Sequence, residues 1–296
     1  MKESARALTV TYLVKSTLGS LNGGDKEADN LSSIKKFSHG NLEYPYGSSQ
    51  WVRRALRDQL SNLGWVLSEG QTAEIKKGAA TTLQDPGKFI DDDLFGFMGT
   101  EKGKTANKRT SPLRVSPLVS LSSYRGDLDF GTNYMSVDAG GDPNIFETEI
   151  HSSFYRGTVL IELDRVGCGD GFKKDLAGED RASRVKALLD SLKNLWSSGR
   201  QTRFLADITP KFAAASILSV KNPIFLEVIN IRDNDIALKD IALEPLLATI
   251  DDYKEVIIKN VFGAREGFFG VVPDGTLPLG QAFEEMKNWV DSFFSD

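Results

Sequence analysis

The chain has 296 residues, 40% hydrophobic and 26% charged, the profile of an ordinary globular protein and the length of one large domain or one domain carrying big insertions. No apolar run approaches the ~20 residues needed to span a bilayer, no secretory h-region opens the chain, and the one cysteine, Cys168, excludes an internal disulfide framework, so a chain of a reducing cytoplasm with no membrane partner is expected. The net charge of −5 is uneven, because Glu227 to Asp296 holds 14 acidic and 6 basic residues, or −8, which leaves +3 on the remainder.

Ala7 to Val14 alternates, placing Leu8, Val10, Tyr12 and Val14 on one face of a first strand. A polar, glycine-rich loop over residues 19–25 follows. From Ser48 to Leu63 the spacing of Trp51, Val52, Ala55, Leu56, Leu60 and Leu63 predicts a helix, with Ser48 or Ser49 as N-cap and Arg53, Arg54 and Arg57 largely off the apolar stripe. Residues 70–144 are irregular and too long for an ordinary connection, so functional loops and hairpins are expected there. Thr158 to Val166 is predicted as a buried strand and Asp180 to Trp196 as a second helix. Further strands are predicted at Ala213–Val220, Ile224–Asn230 and Val256–Val261, and an amphipathic helix closes the chain through Phe283, Met286, Trp289, Val290, Phe293 and Phe294. This order is compatible with a ferredoxin-like βαββαβ plan interrupted by loops, one of several α+β arrangements the pattern allows.

Several motifs invite chemistry and are weighed against plainer readings. Gly167-Cys168-Gly169-Asp170-Gly171 follows a strand, but a dinucleotide fingerprint must open a helix at once, and here the helix starts about ten residues later. A flexible loop is expected instead. Asp91-Asp92-Asp93 could hold a hard cation, yet neighbouring side chains diverge and no glutamate follows at EF-hand spacing, so a solvated acidic turn is expected. Leu94-Phe95-Gly96-Phe97-Met98 only faintly echoes an aromatic base-stacking strand. Two histidines give no Ser-His-Asp arrangement and, with one cysteine, no zinc site, and both are expected to be structural or surface residues.

The basic clusters carry more. Arg53, Arg54 and Arg57 fall in the opening turns of a serine-capped helix, where backbone N–H groups already favour phosphate. Glu101 to Arg125 holds Lys102, Lys104, Lys108, Arg109, Arg114 and Arg125 against one acid. Arg200-Gln201-Thr202-Arg203 follows Gly199 at a helix end. Each could be a solvated charge. Three clusters in glycine-bearing loops point to a polyanion.

Read in order, these segments resemble the DevR family of CRISPR-associated proteins, the backbone subunits of type I-B and related Cascade complexes within the RAMP superfamily. The resemblance runs from the first strand to about Pro223. It rests on Ser20-Leu21-Asn22, on Tyr44-Pro-Tyr-Gly-Ser-Ser-Gln-Trp-Val-Arg, and on Asp93-Leu-Phe-Gly. It continues through Arg109-Thr-Ser-Pro-Leu-Arg-Val-Ser-Pro-Leu, Phe146-Glu-Thr-Glu-Ile-His-Ser-Ser-Phe-Tyr, and residues 199–210. It implies an α+β chain of one RRM-like domain over residues 1–296. A ferredoxin-like, RRM-like palm would carry loop and hairpin insertions, the fingers and thumb, within about residues 65–155. It further implies copies that polymerise along one crRNA beside other Cascade subunits in a prokaryotic cytoplasm, with target DNA read by base pairing and not by protein.

By position, Lys15, Ser16, Asn22, Ser49, Gln50, Arg53 and Arg54 would hold RNA phosphates. Arg57 would bind RNA with them, Arg200 and Arg203 lie in the block that lines the palm in related proteins, and Lys102, Lys104, Lys108 and Arg109 would sit in an extended loop facing nucleic acid. The thumb would lie within Leu118 to Tyr155, its tip near Ala139-Gly-Gly. No catalytic residue, cofactor or metal is implied. The alternative is a metal-dependent endoribonuclease using Asp25 or Asp29, as in RNA-cleaving relatives that place an aspartate in this early loop. A small-molecule α/β enzyme around Gly167 is the third reading.

Overall fold

The computed structural model describes residues 5–28, 31–68, 82–99, 107–134, 137, 140, 141, 143–197, 199, 201–233 and 238–295. The first part comprises β1 (Ala7–Gly19), β2 (Gly23–Ala28), β3 (Leu31–Ile34), β4 (Lys36–His39), β5 (Leu42–Gly47) and α1 (Ser49–Asn62). Next come α2 (Ile90–Phe95), β6 (Phe97–Gly99), β7 (Asn107–Arg109), β8 (Leu113–Val115), β9 (Leu118–Ser120), β10 (Asp127–Asn133) and β11 (Asn144–Glu162). The last part holds α3 (Gly178–Lys193), α4 (Gln201–Phe204), β12 (Pro210–Leu218), β13 (Ile231–Asp233), β14 (Lys239–Ile241), α5 (Leu243–Asp252), β15 (Ile257–Ala264), β16 (Leu277–Pro278) and α6 (Leu279–Phe294).

The chain is α+β. Twelve strands form one mixed sheet whose main path runs β16-β15-β12-β1-β11-β9-β5-β4. Within it β1 lies antiparallel between β11 and β12, so that Leu8 sits beside both Ile161 and Ile217. The alternation expected of β1 holds. Leu8, Val10, Tyr12 and Val14 enter one core with α1, α3 and α6, while Leu13 enters a second core with Phe154, Phe212 and Phe225 on the opposite face. Tyr12 lies flat against β11 because residue 157 is glycine: a Cβ there would stand 2.7 Å from the Tyr12 hydroxyl.

Burial on both faces gives the central sheet its position. The first face is covered by helices, and α6 buries Phe283, Met286, Trp289 and Phe293 as its spacing predicts. The second face is covered by residues 222–233 and 238–275, through Ile224, Phe225, Ile229 and Leu246, with Phe268 and Phe269 packed against them. The strand expected over Ile224–Asn230 is absent. That run is turn and irregular chain, and its apolar residues mark burial beneath the second core and not extension. The strand expected over Thr158–Val166 is the end of the longer β11, and residues 163–166 turn away from the sheet. The expected glycine-rich loop at 19–25 is shorter, since β1 runs to Gly19 and β2 begins at Gly23.

Asp91, Asp92 and Asp93 are not a solvated turn. All three are buried at the start of α2, with relative exposures of 2%, 0% and 0%. Ser68 N–H donates to Asp91 Oδ1 at 2.9 Å and Asp85 N–H to Asp92 Oδ2 at 2.9 Å. Asp93 accepts from Arg109 at 2.5 Å, from Arg184 at 2.7 Å and from the Gly167 N–H at 3.0 Å. The loop at Gly167 is correspondingly pinned: Arg109 donates to the Cys168 and Asp170 carbonyls, each at 2.9 Å.

Candidate nucleic-acid interface

The amino end of α1 forms as the sequence predicts. Ser48 has an extended backbone and its Oγ accepts the Trp51 N–H at 3.2 Å, while the first turn carries no acidic residue. Gly47 makes this junction possible, because a Cβ at 47 would stand 2.7 Å from the Trp51 ring. Three orphan N–H groups and the positive end of a 14-residue helix therefore point past Ser49, half-buried, and Gln50, exposed.

The three arginines of α1 have different fates. Arg53 is a tether: it donates to the Phe95 carbonyl at 2.5 Å and the Leu113 carbonyl at 3.2 Å and lies against the Phe95 ring. Burial, with Arg57 and Arg114 nearby, pushes its pKa down to about 10. Arg57 stacks on the same ring at 4.1 Å, and Arg54 is exposed and pairs with Asp58 at 2.7 Å one turn on.

Arg109 requires a correction. Its side chain is 1% exposed, and all five guanidinium N–H groups are used inside the protein: Nε to the Asp93 carbonyl, Nη1 to Cys168 and Asp170, Nη2 to the Asp93 carboxylate and the Arg165 carbonyl. No donor remains for RNA. Its neighbour Lys108 on β7 is exposed. Lys102, Lys104 and Arg200 lie outside the described residues, as does Asp29, and of Asp25 only the backbone in β2 is described.

At the far end of β1, Lys15 lies over the Phe154 ring at 5.2 Å, and burial together with Lys239 pushes its ammonium below the ordinary value. Ser16 is buried and its hydroxyl donates to the Thr17 carbonyl, so it faces inward. The Asn22 carbonyl accepts from Lys35 N–H at 2.9 Å. Arg203 on α4 braces the hairpin of β10 and β11: it pairs with Asp129, donates to Thr148 at 3.0 Å and lies over Phe146. That hairpin, paired from Asp127↔Ile150 to Asn133↔Asn144, stands where the thumb is expected, and Gly140 and Gly141 lie in its connection. Its Leu128, Phe130 and Tyr134 are 50%, 61% and 65% exposed.

The structure also places Arg54 beside three tryptophans to which the sequence analysis gave no binding role. A groove of about 1180 Å³ beside α1 is lined by Arg54, Trp51, Trp65, Trp196 and Gly199, so α1 and the block after α3 share one trough. A neighbouring cavity of about 610 Å³ continues it from Gln59 and Asn62 to Ala206 and Asp207. Three of the chain's four tryptophans line this trough, but Trp51, Trp65 and Trp196 lie too far apart in the chain for the sequence to announce it. Of the histidines, His39 is exposed and His151 is buried with its Nδ1 2.9 Å from the Tyr155 hydroxyl. Among the described residues, no three His, Cys, Asp or Glu side chains cluster to hold a metal ion, and no helix is long and apolar enough to cross a membrane.

The fold is shared with chains of known structure. Two solved structures described as a CRISPR RNA-guided surveillance complex, one of them in a pre-nicking state, contain chains matching 96% of this one. Their TM-scores are 0.59 and 0.61 at 14% and 12% identity, with 99% and 100% of those chains covered. A Myxococcus xanthus (strain DK1622) protein named CRISPR-associated protein Cas7/Cst2/DevR is 30% identical over 151 residues, spanning 45% of this chain and half of that protein's length. Residues 18–237 match the family described as CRISPR-associated negative auto-regulator DevR/Csa2, and the chain belongs to that family.

Proposed function

We propose that this chain is a non-catalytic backbone subunit of a CRISPR surveillance complex. In the prokaryotic cytoplasm its copies lie side by side on one guide RNA, next to other subunits, and leave the RNA bases free to pair with target DNA. The observation that carries the reading is the amino end of α1: a serine-capped helix with an acid-free first turn, flanked by Arg54 and Arg57, inside the stretch that matches the family. The sheet order supports an RRM-like palm. The neighbours β12-β1-β11-β9 are all antiparallel, with α1 between β1 and β9 in the chain and α3 between β11 and β12, which is the βαββαβ order.

Because both faces of the central strands are covered, RNA runs along loop ends and the helix terminus and not across the middle of the sheet. Phosphates are then held by N–H groups and a few cations, which an overall charge of −5 tolerates. The test is to purify the chain, sequence the nucleic acid that accompanies it, and titrate it with single-stranded RNA across salt. Tight, salt-dependent binding of any sequence is expected. Absence of binding at low salt would remove the reading.

A further inference from the structure

The hairpin of β4 and β5 leads straight into the α1 cap and separates its side chains by chemistry. Register pairs Phe37 with Tyr44 and His39 with Leu42, and the Tyr46 N–H donates to the Lys35 carbonyl, continuing the ladder. Alternation therefore places Lys35, Phe37, His39, Leu42, Tyr44 and Tyr46 on one face and Lys36, Ser38, Glu43 and Pro45 on the other. The rings meet: Phe37 lies 5.8 Å from Tyr44 and 6.1 Å from Tyr46, and His39 lies 6.4 Å from Tyr44. Phe37 is 40% and Leu42 52% exposed. The hairpin's one carboxylate, Glu43, is on the opposite face, 3.8 Å from Lys36.

This face continues the second face of the main sheet. A Cβ on Gly47 would point into Trp51 on the helical side, so Tyr46 points the other way. Across the sheet Arg156 and Tyr46 both pair with Val119, and Arg156 donates to the Glu227 and Ile229 carbonyls, within the segment 222–233 that helps cover that face. The cover thus reaches Arg156, while on β4 and β5 Phe37, His39 and Leu42 are exposed and Tyr44 and Tyr46 are half-buried beside them.

We infer that this open half-sheet is a stacking platform for unpaired nucleobases of a single strand whose phosphates rest at the α1 amino end. The inference rests on the function proposed above. Charge selects the occupant. The face carries Lys35 and His39 with no carboxylate among flat rings, which suits a ligand both aromatic and anionic, and Tyr46 stands two residues before the cap that would hold the phosphate. The signal in the sequence was the period-two run Phe37-x-His39 and Leu42-x-Tyr44-x-Tyr46.

The test compares two fluorescein-labelled RNAs of equal length, one with bases and one abasic, by anisotropy on the full chain. Phe37→Leu and Tyr44→Leu keep apolar bulk but remove stacking. Each should weaken binding of the base-bearing strand about 5- to 100-fold, leave the salt slope unchanged, and barely alter the abasic strand. Phe37→Trp should restore binding, and matched melting curves establish that the variants fold. Leucine variants that bind the base-bearing strand like the wild type would overturn the inference while leaving RNA binding intact. The same variants binding RNA normally but failing to join other subunits would assign the face to a protein partner and likewise overturn it. A wild-type chain that binds neither strand removes the proposed function, and this inference with it.

Discussion

Arg109 and Asp93 meet at 2.5 Å with side chains 1% and 0% exposed, and Arg184 closes on the other Asp93 oxygen at 2.7 Å. One carboxylate thus ties α2, β7, α3 and the Gly167 loop together. Asp93→Ala would leave two buried guanidinium groups without their counter-charge and is expected to cost about 3–5 kcal/mol, the usual penalty for breaking a buried pair. Urea unfolding checks this. Arg109→Ala should likewise lower stability while leaving the salt slope of RNA binding unchanged. A reduced slope in a folded Arg109→Ala chain would return that residue to the RNA.

Arg54→Ala and Arg57→Ala should each flatten the log–log salt dependence of RNA binding by about one unit, equally for every RNA sequence. Arg53→Ala should act differently. It frees the Phe95 and Leu113 carbonyls, so the melting midpoint falls by an amount equivalent to about 1–3 kcal/mol. Titrations at four or five salt concentrations separate the two classes.

Glu162 sets a pH dependence. Burial pushes its carboxyl up, but hydrogen bonds from Lys221, Arg165 and Arg114 outweigh that and hold it below the ordinary 4.5. A depressed folded value means stabilisation that is fully present above the unfolded pKa and is lost as pH falls through the folded one. Glu162→Gln should therefore lower the urea midpoint at pH 7, and the gap from wild type should shrink as the pH is taken below that of the unfolded carboxyl. A gap constant with pH would show that the carboxylate charge contributes nothing.

Assembly should grow with RNA length. The β10–β11 hairpin exposes Leu128 and Phe130, so on the proposed reading it would gain burial by reaching a neighbouring copy. A repeated head-to-tail contact is open-ended, and the RNA sets its length. Mass measurement on RNAs of graded length should show stoichiometry rising for the wild type, and Leu128→Asp with Phe130→Asp should abolish the rise while single-copy binding persists. One copy per RNA at every length would defeat the filament.

The proposed absence of catalysis is checked by incubating the chain with RNA and magnesium. No regular cleavage is expected, and Asp25→Ala and Asp29→Ala should leave the RNA products unchanged. Cuts abolished by either substitution would establish the endoribonuclease.

What could be read in advance was whatever depends on local period. β1 and α6 bury the side chains their spacing indicates, α1 buries Val52, Ala55, Leu56 and Leu60 but leaves Trp51 half-buried and Leu63 exposed at its C-cap, and Ser48 caps the helix it precedes. What could not be read depends on distant partners. Asp93 is neutralised by Arg184, ninety-one residues away, which no local pattern announces. Lys108 and Arg109 look alike in a basic run, yet adjacent residues of a strand face opposite ways, and one is exposed while the other is sealed in. Ile224 to Ile229 is apolar enough for a strand, but burial beneath a core needs no extended backbone.

The trough beside α1 makes the protein its own optical reporter. Trp51, Trp65 and Trp196 line it, whereas Trp289 is 2% exposed inside the helical core. Indole emission shifts when water leaves the ring, so three chromophores respond to anything that fills the trough and the fourth supplies a constant baseline. Loading of unlabelled chain can then be followed in real time by emission colour alone.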